Sequence, residues 1–335
     1  QYYQQKWNGS NALLGSRLNW TIVEDQIYDA NYVLNAKYNI TDTSKATFLF
    51  NLDSVAKDRT VWIDSAPYMN VGSYRYSTTG LTDVRIDDTP SIIGENSFDS
   101  ATTLVEVELP YNITIIDDWA FRDCYKLEKI NIPNSVIDIG YGAFEGCWKL
   151  EKINIPNSVT SIGINAFYHC SSLTSVTIPD SVTSIGSSAF AGCSDISRVN
   201  SDIEGECNLP IIGSVASNMF EGCSKLTKVN LLSSVTSIGN YAFRSCSSLT
   251  SINIPDSVTE IGANAFAYCT NLTNIELPNG TITIGQSAFE GCSGLTIIDI
   301  PVTVTSIDRS AFSGCTNIKE VTKGEGTLKE AVDVA

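Results

Sequence analysis

Histidine is almost absent from this 335-residue chain, which has one, His169, and methionine is scarce at two. No apolar run approaches the roughly 20 residues that a membrane-spanning helix needs. The opening Gln1-Tyr2-Tyr3-Gln4-Gln5-Lys6 lacks the apolar core of a secretory signal. Because the first residue is Gln rather than Met, a processed form or a fragment is expected, and the compartment is not read from this end. Basic residues are outnumbered, 21 Lys and Arg against 37 Asp and Glu, and the resulting net charge of −16 repels a nucleic-acid backbone. There is no Cys-x2-Cys pair, no cluster of His, no G-x-G-x-x-G and no P-loop, so neither a metal site nor a phosphate cradle is expected. Carboxylates are plentiful, but no pair is set apart for acid/base work.

What the sequence does have is a period. Phenylalanines fall at 98, 121, 144, 167, 190, 220, 243, 266, 289 and 312, each 23 residues after the last except for the 30-residue step from Phe190 to Phe220. Three residues after each Phe stands a Cys, from Cys124 to Cys315, and the first unit has Ala101 instead. Self-similarity at such a period is the signature of a solenoid, in which each coil buries its apolar side against its neighbours.

One unit shows how a coil is built. In Leu150-Glu151-Lys152-Ile153-Asn154-Ile155-Pro156, Leu150, Ile153 and Ile155 point inward and Asn154 outward, because side chains alternate across a strand. Pro156 ends the strand by removing a donor. Ile162-Gly163 then turns the chain, and Ala166-Phe167 tucks a small and a large residue under the next coil. Gly163 has Asp117, Ala216 and Asp308 as equivalents, so positive φ is not required there. The expected fold is an α/β-type solenoid with a parallel sheet of eleven strands on one face and short irregular or helical return arms. Strands about 4.8 Å apart make that sheet roughly 50 Å long.

The unit I-P-x-S-V-T-x-I-G-x-x-A-F-x-x-C-x-x-L-x-x-[IV]-x-I, nearly verbatim from Ile178-Pro179 to Ala189-Phe190 and Cys193, resembles the BspA-like leucine-rich-repeat proteins over about 81–322. The resemblance implies a leucine-rich-repeat solenoid. It also implies a surface or secreted protein of the kind implicated in adhesion, and no shared catalytic residues. Related repeats occur in virus-encoded proteins.

Three stretches fall outside the regular repeat. Residues 1–80 hold no Cys but eight of the fourteen Tyr and three of the five Trp. The alternating Thr47–Leu52, Thr60–Asp64 and Ser73–Ser77 predict strands, hence a small β-rich N-terminal cap or an anchoring or oligomerising domain. The extra residues near 200–209, with Glu204-Gly205-Glu206 and Cys207, are expected to bulge from one coil without breaking the stack. Residues 323–335 break the pattern as a C-terminal cap or tail.

The Cys column invites disulfides, yet one-coil spacing exceeds the roughly 3.8 Å between Cβ atoms that a disulfide prefers. Buried thiols acting as small apolar fillers are expected instead, with Cys207 set apart as exposed or able to pair. His169 sits on a variable turn position whose equivalents are Asp123, Gly146, Gly192 and Gly222, which leaves no base for a nucleophile. Six sequons, at Asn8, Asn19, Asn39, Asn112, Asn271 and Asn279, arise at about the frequency chance predicts.

The candidate binding surface is the outward column Glu108, Asn131, Asn154, Thr177, Asn230, Asn253, Glu276 and Asp299, since solenoids grip partners along such sheets. The alternative for the column is a solvated polar ladder. Aromatics near the turns form a second set: Trp119, Tyr125, Tyr141, Trp148, Tyr168, Tyr241 and Tyr268. Among them Tyr125 and Trp148 share a register, either to meet a partner or to pack on the neighbouring coil. The expected function is non-catalytic recognition of a protein or cell-surface ligand by a surface or secreted protein without cofactor. The alternative is a structural subunit of an extracellular filament, surface layer or virion appendage that self-associates through its N-terminal region.

Overall fold

The structure, a computed structural model, describes residues 20–26, 35–40, 60–63, 83–86, 92–211, 213–323 and 326–327. From Thr60 onward they form a ladder of stacked coils. The three-residue strands Lys129–Asn131 and Lys152–Asn154 each bury their central isoleucine and expose the two flanking residues, as alternation requires. Parallel pairing holds the 23-residue offset, with Lys152 opposite Ser175 and Asn154 opposite Thr177. Three hydrogen-bonded runs make up this first sheet. They extend from Thr60–Ile63 to Lys129–Asn131, from Lys152–Asn154 to Ser251–Asn253, and from Asn274–Glu276 to Gly326–Thr327.

The return arm is not helical. Among the described residues there is no helix, and the arm carries a second parallel sheet of two- to four-residue strands such as Ser161–Ile162, which pairs with Asp138–Ile139 and Ser184–Ile185. Val, Thr and Ile in the Ser-Val-Thr-Ser-Ile stretch favour extended backbone, and turns occupy the rest of the coil.

At the third corner the phenylalanines form a continuous stack, from 5.0 Å between the rings of Phe98 and Phe121 to 5.9 Å between Phe220 and Phe243. This corner uses two left-handed residues per coil, Gly142 and Gly146 in one coil and Asn165 and His169 in the next. His169 is therefore a turn residue in the place of a glycine. Gly163 answers to a different need. Its φ is not positive, but a Cβ there would lie 2.5 Å from the carbonyl of Gly140, so glycine serves close approach of successive coils.

Thr60–Ile63 pairs in parallel with Asp83–Ile86 at the same 23-residue offset, so the ladder reaches one strand before Leu81. Further towards the N-terminus, Trp20–Gln26 and Asn35–Ile40 form an antiparallel hairpin with a register shift between Ile22 and Asp25. The strands expected at Thr47–Leu52 and Ser73–Ser77 lie outside the described residues, as do Asn8, Asn19 and the tail beyond Thr327.

The insertion does not bulge. It returns to the first sheet as an additional strand, Glu206–Leu209, between Arg198–Val199 and Lys228–Leu231. The phenylalanine stack continues past it, with Phe190 and Phe220 5.7 Å apart.

Candidate binding surfaces on the coil stack

The strands bring the predicted column together. Glu108, Asn131, Asn154, Thr177, Asn253, Glu276 and Asp299 are exposed on the first sheet, and register places Glu108 beside Asn131, Asn230 beside Asn253, and Glu276 beside Asp299. Asn230 departs from the others. It is half-buried, and its amide nitrogen donates to Glu206 Oε1 at 2.9 Å and to Asn208 Oδ1 at 2.6 Å. Glu206 is buried and also accepts from Ser201 at 2.8 Å and Lys228 at 3.1 Å. Hydrogen bonds from Ser201, Lys228 and Asn230 hold its carboxyl below the usual range. The donors of Asn230 are thus committed to locking the inserted strand.

The insertion adds Asn208 to the column, opposite Asn230. Glu206-Cys207-Asn208-Leu209 has the alternation of Lys228-Val229-Asn230-Leu231, and that likeness was the signal for a strand. Just before it, Asn200 imitates a missing strand. Its Oδ1 accepts from the N–H of Ile178 at 2.6 Å and its Nδ2 donates to the carbonyl of Ile178 at 2.8 Å.

Tyr125 and Trp148 stack on one another, 4.2 Å between ring centroids, at the edge where the corner enters the first sheet. Trp148 remains 49% exposed. Desolvation and the adjacent Asp123 raise the pKa of the Tyr125 hydroxyl. Lys126 and Lys149 follow the two rings and are exposed. Other aromatics are tied to the ladder itself. Arg244 lies 5.8 Å from the Tyr241 ring and 5.6 Å from the Tyr268 ring while pairing with Glu221, and Arg122 lies 5.5 Å from Trp119 while pairing with Asp99.

All ten cysteines are buried and free. The expectation that Cys207 is exposed or available to pair is corrected: it stands in the inward column, in register with Val199 and Val229. Nor are the other nine only fillers, because each thiol donates to the carbonyl of the phenylalanine one coil back. Burial pushes the Cys193 and Cys246 thiols up to about 12, far from the thiolate that reactivity needs. Among the described residues no group of His, Cys, Asp or Glu is arranged to hold a metal, and no helix is long and apolar enough to cross a membrane.

The sequence matches the family described as BspA type leucine rich repeat region, in six copies, over residues 69–197 and 212–330. The chain belongs to the BspA-type leucine-rich-repeat family. The matched stretches flank residues 198–211, which contain the inserted strand. A leucine-rich repeat protein from Bacteroides ovatus is similar in structure, with a TM-score of 0.67 and 30% identity, over 76% of this chain and 66% of that one. The chain thus spans a little under two thirds of that protein. A leucine rich cell surface protein from Faecalibacterium prausnitzii shares 28% identity at a TM-score of 0.46, covering 81% of this chain and 89% of that one. A leucine rich repeat protein of T. pallidum shares 30% identity at a TM-score of 0.47, over 52% and 80%. No curated protein matches. The matched family is described by its repeat and names no enzymatic activity.

Proposed function

We propose that this BspA-type protein works by recognition at the cell surface or outside the cell, holding a protein or cell-surface ligand against its first sheet. The observation that carries the reading is the column of exposed side chains repeated coil after coil between Glu108 and Asp299, together with the half-exposed Trp148. Many small polar contacts along a rigid array suit an extended partner, and one flat aromatic ring supplies the kind of anchor on which binding energy concentrates. Buried thiols held protonated are compatible with an oxidising exterior, since they neither exchange nor bind metal.

The test uses the full chain on an array of immobilised cell-surface and matrix proteins. Replacing Asn131, Asn154 and Trp148 together with Ala should weaken capture at least tenfold while the circular dichroism stays unchanged. Undiminished capture by the triple variant would sink the assigned face.

A further inference from the structure

We infer that the second sheet lacks one strand at the insertion, and that this place receives an extended segment of a partner protein. The mismatch is topological. Between Ser175–Thr177 and Lys228–Leu231 the first sheet takes three steps, through Arg198–Val199 and Glu206–Leu209. Over the same coils the second sheet has only Ser184–Ile185, Gly213–Val215 and Val235–Ile238, and the phenylalanine stack likewise takes two steps. The ring spacing across the insertion is 5.7 Å and that of the regular step after it 5.9 Å, against 5.0 to 5.6 Å elsewhere. The chain leaves the first sheet after Asn200 and re-enters it at Glu206 without passing through the second. One coil therefore contributes to one sheet only, and Ser184–Ile185 and Gly213–Val215 are left unpaired across a wedge that closes where the Ser188 N–H donates to the Ser217 carbonyl at 2.8 Å.

Three backbone groups beside the wedge have no partner among the described residues. In the coil before, the Thr160 carbonyl accepts from Thr183 at 2.9 Å and the Ile162 carbonyl from Gly186 at 2.8 Å; in the coil after, Val215 accepts from Gly239 at 2.9 Å. Among the described residues no donor meets the carbonyls of Thr183 and Ile185, and no acceptor meets the N–H of Ala216. The Gly213 N–H turns forward to Ser234 at 3.0 Å instead of back. Ala216 stands where Gly186 and Gly239 stand in the neighbouring coils. Asp117 and Asp308 also carry a Cβ at the glycine position, yet both still bond the preceding coil, at 2.8 and 3.1 Å, and Ala216 does not. Ile185 is only half-buried, whereas its equivalents Ile162 and Ile238 are 1% exposed.

These groups define the occupant. Two carbonyls two residues apart on one edge and an amide on the other are matched by extended backbone, as in β-strand addition. Strand alternation turns an aliphatic side chain of the incoming segment towards Ile185 and small polar ones outward, beside Ser184 and Ser214. No charged side chain is needed for recognition. This surface is separate from the first-sheet column, so the two readings stand or fall independently.

The probe is a fluorescein-labelled peptide, Asn-Ser-Val-Thr-Ser-Ile-Gly, copied from residues 157–163, the strand that a regular coil would place in the wedge. Anisotropy with the full chain should rise to saturation, and the same peptide N-methylated on alternate residues should bind at least tenfold more weakly. Deleting residues 201–207 shortens the 30-residue step from Phe190 to Phe220 to the regular 23 and should abolish binding while the circular dichroism is retained. Ala216→Pro, which removes one donor without changing chain length, should weaken binding in the same direction. Hydrogen exchange supplies a readout independent of either variant: the Ala216 amide should exchange faster than that of Gly239 in the free chain and slow on adding peptide. Equal protection of Ala216 and Gly239 without peptide, absence of binding at millimolar peptide, or undiminished binding by the deletion variant would each overturn the inference.

Discussion

The thiol of Cys147 donates to the carbonyl oxygen of Phe121, one coil back, at 3.2 Å, and the same oxygen accepts the N–H of Cys124 at 3.3 Å. Each phenylalanine carbonyl thus ties together its own corner and the next one. Cys147→Ala removes a weak hydrogen bond and a buried sulfur but leaves the carbonyl with one partner, so the expected cost is about 1–2 kcal/mol. Urea unfolding of the full chain measures it. No loss of stability would mean that the thiol ladder contributes neither bonding nor packing.

Alkali should unfold the protein through the same column. Burial raises Cys193 and Cys246 to about 12 and Cys315 to about 11, against an ordinary value of 9.0. A raised folded-state pKa means that the unfolded chain loses its protons first. The thiols' contribution is therefore complete below pH 9 and is lost between pH 9 and about 12. One such thiol lowers stability by about 1.4 kcal/mol per pH unit in that window, and several acting together make the fall steeper. Urea midpoints at pH 7, 8 and 10 should be level between the first two and drop sharply at the third; a flat profile to pH 10 would show the thiols to be solvated.

How much of this was legible depended on whether a position repeats in kind. Phe and Cys recur as single residue types at fixed spacing, so the stack and the inward column could be read directly from the sequence. The outward column was equally plain because alternation is strict at Ile153-Asn154-Ile155. The second sheet was hidden. Its strands, such as Ser161–Ile162, are too short to show a period of two, and they read as irregular or helical return. The inserted strand was hidden for another reason. A 30-residue step accommodates a loop as well as a strand, and only the likeness of Glu206-Cys207-Asn208-Leu209 to its neighbours distinguishes them. The commitment of Asn230 to Glu206 follows from that strand and was invisible without it.

The phenylalanine stack sets how damage should spread. Phe243 is fully buried between Phe220 at 5.9 Å and Phe266 at 5.6 Å, and truncation to Ala should cost about 3–5 kcal/mol by leaving a cavity with rigid walls on both sides. Phe312 ends the series, with a ring neighbour in Phe289 at 5.2 Å and 5% exposure. Since each coil is stabilised by its neighbours, Phe312→Ala should cost less and fray the last coils instead of weakening the whole array. Hydrogen exchange on the two variants distinguishes the cases. Phe243→Ala should speed exchange in coils on both sides of residue 243, whereas Phe312→Ala should leave the coils before Phe266 at their wild-type rates. Equal and global acceleration in both variants would show that the array unfolds as one unit and that position along the stack does not matter.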